Sequence, residues 1–242
     1  MKENKVKTGI PGMDELLRGG LLPGRSILLS GPSGSGKSIL AMQYIYNGII
    51  KYNEPGLYVS FEEEKDRIIE NMKQVGLDLK SLEKKKSLTI IGGSLGNVDG
   101  FMEKVGARPE NIIEEIKEVI QENKIKRVVI DSTSLFNLLA KDDAERRTAL
   151  TRLTSALSSL GCTSLLTAET KEGTFDISRY GIEEFIVDGV IAIFHFRQQD
   201  KFIPGIVIRK MRGMNHEKGI RHFEITNKGI IIYPDQTMFN IV

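Results

Sequence analysis

The sequence predicts an α/β domain: a mostly parallel central sheet flanked by helices, with antiparallel strands at the C-terminal end. Three observations carry that prediction. Short β-type apolar runs alternate with longer amphipathic stretches between residues 26 and 167. A glycine-rich turn joins the first apolar run to the first amphipathic stretch. From Gly189 onward, apolar runs follow one another across turn residues with no convincing helix between them.

Residues 26–30, 56–61, 88–91, 127–131 and 163–167 read as strands, each a short apolar run bounded by turn or charged residues. Between them, residues 38–47 carry Ile39, Leu40, Met42 and Ile45 at helical spacing, and residues 64–75 carry Ile68, Ile69 and Met72. Further helices are expected over 111–122 and over 142–160, where Leu150, Leu153, Leu157 and Leu160 mark one face. Residues 92–106 are rich in glycine and read as a long surface loop. In the C-terminal part, turns are expected at Pro204-Gly205, Gly213 and Asn227-Lys228-Gly229. No repeat and no shift in composition marks a second unit, so residues 1–242 are expected to form one domain.

Composition removes several classes of function. Hydrophobic residues at 40% and charged residues at 27% exclude a disordered or fibrous chain. With 34 Lys plus Arg against 32 Asp plus Glu, the net charge of +2 gives nucleic-acid binding no overall electrostatic support. A single cysteine, Cys162, allows neither an internal disulfide nor a cysteine-built metal site, and a reducing cytoplasm is the expected setting. The apolar runs fall short of the roughly 20 residues that cross a bilayer. The N-terminal Met-Lys-Glu-Asn-Lys lacks the apolar stretch of a signal peptide, so export is not expected.

Gly31-Pro32-Ser33-Gly34-Ser35-Gly36-Lys37-Ser38 satisfies the phosphate-loop pattern G-x-x-x-x-G-K-[ST], between an apolar run and an amphipathic one. Glycines let successive backbone N–H groups turn toward a phosphate, and the following helix adds the partial positive charge of its N-terminus. In that arrangement Lys37 reaches the β- and γ-phosphates of ATP and the Ser38 hydroxyl ligates Mg²⁺. Residues 127–131 end a buried apolar run in Asp131, the expected second magnesium residue, acting directly or through water. The run 56–61 leads into Glu62-Glu63-Glu64, at the strand edge where ligands of open α/β sheets bind. Glu63 is the preferred group to polarise the attacking water, with Glu62 as its partner or alternative; Glu64 reads as the acidic first turn of the next helix. Period-2 spacing in residues 206–212 puts Lys210 and Arg212 on one side of a strand, as paired cations or as a solvated basic edge.

Thr8-Gly9-Ile10-Pro11-Gly12-Met13-Asp14-Glu15-Leu16-Leu17, then Gly19-Gly20 and Leu22-Pro23-Gly24, resembles the entry of RecA/RadA/KaiC-type ATPases. Phe61-Glu62-Glu63, Ile130-Asp131-Ser132, Arg179-Tyr180-Gly181-Ile182-Glu183-Glu184-Phe185 and Lys210-Met211-Arg212-Gly213-Met214-Asn215-His216 look like the KaiC branch, over nearly the whole chain. The resemblance implies a RecA-like core, slow ATP hydrolysis, and ATP held between subunits of a homo-oligomeric ring, usually a hexamer. It implies that Glu62 and Glu63 activate water, that Lys210 and Arg212 reach the neighbour's γ-phosphate, and that His216 approaches the nucleotide. The expected role is a regulatory or signalling ATPase acting on an unknown protein partner. KaiC clock proteins carry two such domains and this chain has one phosphate loop, so timing is not carried over, and no Ser-Thr pair supports protein-kinase activity.

The alternative is a DNA-dependent RecA/RadA-type recombinase paralogue. Recombinase relatives line a channel with basic loops, whereas residues 169–184 hold five acids against two bases, which repels a phosphate backbone. His216 and His222 are six residues apart in a strand-and-turn region, which is not zinc spacing on a helix. Arg146, Arg147 and Lys84-Lys85-Lys86 read as solvated charge, and Cys162 as a space-filling residue.

Overall fold

The computed structural model describes residues 4–93 and 108–238. The chain opens with a short helix α1 (Met13–Leu16), then β1 (Ser26–Gly31), α2 (Lys37–Tyr52), β2 (Gly56–Ser60), α3 (Lys65–Gln74), α4 (Leu79–Lys84) and β3 (Leu88–Gly92). It continues through α5 (Pro109–Glu122), β4 (Arg127–Asp131), α6 (Ser134–Leu139), α7 (Asp143–Ser159), β5 (Thr163–Glu169) and α8 (Glu183–Ile186). Four strands complete it: β6 (Gly189–Gln198), β7 (Lys201–Met211), β8 (Arg221–Thr226) and β9 (Gly229–Thr237). Among the described residues, nine strands form one sheet in the order β3-β2-β4-β5-β1-β6-β7-β8-β9. The first six are parallel and β7 to β9 run antiparallel, as the sequence predicts.

Alternation along the buried strands feeds two apolar layers. Ile27, Leu29, Tyr58, Val129 and Leu165 pack under α2, α3 and α4. Leu28, Leu57, Val59, Val128, Ile130 and Leu166 pack under α5, α6 and α7. Helix α7 starts one residue later than the predicted range, with the Asp142 carboxylate capping the Glu145 N–H at 2.8 Å. Helix α2 runs past Asn47 to Tyr52 and ends where Asn53 takes a left-handed conformation, φ 55°. Gly48 in its interior is required by packing: a Cβ there would lie 2.3 Å from Cδ and Nε of Arg127. That arginine is buried, donates to Glu54, Tyr44 O and Lys7 O, and lies over the Tyr44 ring.

Two expectations are corrected. Pro204-Gly205 is not a turn; β6 and β7 are joined at Gln199, φ 55°, and β7 passes straight through Pro204. Its carbonyl faces β8, meeting His222 Nδ1 at 3.3 Å, so the missing N–H lies on the side away from the β6 ladder. Arg146 is not solvated: its side chain is 18% exposed, with the guanidinium 4.5 Å above the Tyr180 ring. Lys84, Lys85 and Lys86 are exposed, as expected. The expected loop over 92–106 lies outside the described residues from 94 on.

A second irregularity matters for function. Between β6 and β7 the register passes from Ile191↔Ile208 to Val190↔Lys210, so Arg209 is an extra residue in β7. Ile206, Ile208 and Met211 all lie in the layer under α2, and the extra residue turns Lys210 and Arg212 to the opposite face, toward α8.

Candidate active site

The loop after β1 is built by its glycines. Gly34 and Gly36 have φ of 73° and 90°, values that favour glycine, and Gly36 leads directly into the first turn of α2. The free N–H groups of that turn therefore face a cleft of about 320 Å³ beside the loop. Residues 33–39, Glu62, Asp131, Ser132, Glu169 and Ile225 line the cleft. Lys37 is buried and donates to the carbonyls of Gly31 at 2.9 Å and Pro32 at 2.8 Å. Burial lowers its pKa, while the carboxylates of Glu169, Asp131 and Glu62 oppose that shift. Ser35 Oγ is buried without a hydrogen-bonding partner.

These residues fit Mg-ATP. A buried unpaired hydroxyl, a lysine held by the loop's own carbonyls and a helix N-terminus converge on one acidic cleft. Magnesium would have Ser38 and Asp131 available. Tyr58, on β2, donates its hydroxyl to Asp131 Oδ2, while Thr167 donates to Asp131 Oδ1. The phenol's pKa is raised well above its ordinary value, first by burial and then by the Asp131 charge, so Tyr58 stays a donor. Sequence reading missed Tyr58 and Thr167, because each looks like an ordinary strand residue until the pairing Tyr58↔Val129 sets β2 beside β4.

The two glutamates separate. Glu62 lines the cleft and accepts from Ser132 Oγ at 2.6 Å and Ser134 Oγ at 2.7 Å. Glu63 turns to α3, accepting from Asn71 at 2.5 Å with Arg67 at 3.5 Å. A sharp turn produces this divergence, with Ser60 Oγ accepting from the N–H groups of Glu62 and Glu63 at 3.4 and 3.1 Å.

Lys210, Arg212 and His216 are absent from the cleft lining. Lys210 Nζ donates to the carbonyls of Glu184 at 2.8 Å and Val187 at 2.7 Å, and Arg212 donates to Phe185 O at 3.0 Å. Burial, then the adjacent Arg212, lowers the Lys210 pKa. The backbone pairing Gly189↔Met211 and Ile27↔Gly189 sets these cations beside the start of β1, whereas the phosphate loop leaves its end. About 13–17 Å of strand separates the two. His216 bonds the Glu217 carbonyl through its ring at 2.8 Å.

Fold and site together define a RecA-like nucleotide-binding domain with a phosphate loop. The family model described as "ATPase: KaiC" matches residues 6–237. The circadian clock oscillator protein KaiC of Parathermosynechococcus lividus is 40% identical over 231 residues, covering 95% of this chain and 42% of the relative. UPF0273 protein MJ1359 of Methanocaldococcus jannaschii is 36% identical over 241 residues, covering 97% of this chain and 98% of the relative. Among solved structures, the KaiC-like protein PH0186 of Pyrococcus horikoshii matches with a TM-score of 0.84 and 35% identity, over 96% of this chain and 99% of that one. The chain belongs to the KaiC ATPase family and spans less than half the length of the KaiC clock relative. No described helix is long and apolar enough to cross a membrane.

Proposed function

We propose that the chain acts as one domain that binds Mg-ATP at residues 31–38 and hydrolyses it slowly, at a site completed by Lys210 and Arg212 of an adjoining copy. The observation that carries this reading is the separation of the two halves. Lys210 and Arg212 lie where β1 begins and the phosphate loop lies at its far end, a separation that supports supply of the two halves by different copies. Ser38 and Asp131 would hold magnesium, which when bound would supply charge neutralisation at the phosphate oxygens. Lys37 leaves its loop carbonyls for the β- and γ-phosphates. Glu62 orients the attacking water, and its link to Ser132 and Ser134 fixes the carboxylate in the cleft. Glu63 supports that turn from α3. Ile225, 44% exposed at the cleft, offers apolar surface to the base.

Cations lent between copies can be worth about 10³–10⁵ in rate, which makes hydrolysis depend on assembly into a head-to-tail ring, of which a hexamer is the expected form. Such a device suits a cytoplasmic regulatory ATPase whose nucleotide state is read by a protein partner. The acidic segment 169–184, with Glu169 in the cleft, disfavours the DNA-dependent alternative.

The test mixes two inactive proteins. Glu62→Gln and Arg212→Ala should each lose turnover, and the mixture should regain it, because random assembly pairs an intact cleft with intact cations at about a quarter of interfaces. Absence of recovery in rings shown by mass to be mixed overturns the shared site. Turnover stimulated by single-stranded DNA would restore the recombinase reading.

A further inference from the structure

The cations are held by a helix that a buried polar pair ties to the core, beside the apolar packing of Ile186 and Val187. Helix α8 is four residues long, and the carbonyls of Glu184, Phe185 and Val187 receive Lys210 and Arg212. Its first residue, Glu183, is 2% exposed, and Oε1 accepts from Asn137 Nδ2 at 3.0 Å. Asn137 is 5% exposed and sits on α6, three residues after Ser134, whose hydroxyl donates to Glu62 in the cleft. The Asn137 carbonyl also receives Arg146 Nε at 3.3 Å, and Arg146 covers Tyr180. One short helix thus touches the cleft carboxylate at one end and the support of the cations at the other.

We propose that Asn137 and Glu183 are positioning residues that set Lys210 and Arg212 for the neighbouring copy's nucleotide, by fixing the carbonyls of α8 that hold both side chains. The inference rests on the trans role of those cations. A buried carboxylate is kept only where a partner compensates it, and an Asn–Glu pair fixes both distance and direction where an apolar contact would fix neither. A displacement of about 1 Å at the two cations is enough to lower turnover about 100-fold without touching the subunit's own cleft.

Complementation between subunits reads this directly. Asn137→Leu rings should bind Mg-ATP as wild type does and turn over about 10–100-fold more slowly. Mixed with Glu62→Gln subunits, which carry intact cations, they should recover toward a quarter of wild-type turnover; mixed with Arg212→Ala subunits, they should not. The opposite pattern, rescue by Arg212→Ala alone, means that the substitution damages its own cleft and overturns the proposal. Unchanged turnover in Asn137→Leu rings overturns it as well. Glu183→Gln keeps an acceptor for Asn137 Nδ2 and should stay close to wild type, whereas Glu183→Leu should join the Arg212→Ala group. Recovery in the Glu62→Gln and Arg212→Ala mixture is the control: its failure removes the trans reading itself, and its success with the wrong Asn137→Leu pattern removes only the positioning role. If neither leucine variant assembles, while Glu183→Gln assembles but is slow, the pair is a folding element and the proposal falls.

Discussion

Replacing Tyr58 by phenylalanine isolates the hydrogen bond that organises the magnesium carboxylate. The ring stays in the layer under α2, and the change removes a single oxygen. Asp131 Oδ2 then loses its donor, although Thr167 still serves Oδ1. A hydrogen bond to a charged group is worth about 1.5–3 kcal/mol. Asp131 is partly exposed to the cleft, where water can substitute, so the expected loss lies near the lower bound, about 1.5 kcal/mol. For a chain of this length that lowers the melting temperature by about 3–6 °C. Urea unfolding should be run with and without Mg-ATP. The nucleotide-free difference should shrink when magnesium is present, because the cation takes over compensation of the carboxylate. A Tyr58→Phe protein within about 0.5 kcal/mol of wild type in nucleotide-free buffer would refute the account of Asp131 as a preorganised, donor-held ligand.

Three further outcomes can be measured on the same preparation. Gly48→Ala, which raises helix propensity by about 1 kcal/mol on an ordinary surface, should instead destabilise by about 2 kcal/mol in urea, since its methyl would lie 2.3 Å from buried Arg127. Lys37 has its folded pKa lowered below 10.5 by burial, so its charged form opposes folding at neutral pH; as pH rises through the folded value toward 10.5, stability measured against Lys37→Met should move in wild type's favour. Burial pushes the Cys162 thiol up to about 11, so iodoacetamide at pH 8 should leave the folded protein unmodified and label it in urea, as read by intact mass.

The parts of the site legible in the sequence were those set by local backbone geometry. Gly34, Gly36 and Lys37 form a loop whose pattern is itself the mechanism, and β4 announces Asp131 by an apolar run that stops at an acid. Tertiary pairing decided the rest. Whether Glu62 or Glu63 enters the cleft depends on β2 ending at Ser60, one residue before the predicted end, and on Ser60 Oγ bending the chain there. Helix α6 has six residues, too few for a helical period to stand out, so Ser134 and Asn137 gave no signal. Pro204 misled because proline marks turns by default, and only the direction its carbonyl faces shows why β7 tolerates it. Lys210 and Arg212 were assigned to one side by strict alternation; they do share a side, but the extra residue Arg209 reverses which face that is.

That reversal bears on how the basic strand would serve a neighbour in the proposed assembly. Alternation unbroken from Ile206 and Ile208 would carry Lys210 and Arg212 into the apolar layer under α2, where two charges cannot be buried unpaired. The bulge sends Met211 into that layer instead and turns the cations onto α8, whose carbonyls hold them without neutralising them. Burial, then the adjacent Arg212, depresses Lys210, and the nearby Asp188 and Glu184 carboxylates offset that only in part, so Lys210 and the exposed Arg212 keep a demand for an anion. Within the chain the cations stand at the opposite end of β1 from the phosphate loop, because β7 returns antiparallel and ends where β1 starts. In the proposed assembly a second copy, stacked so that its loop edge meets this edge, would answer that demand, and the same contact repeated from copy to copy would be a heterologous interface, a ring where its rotation closes.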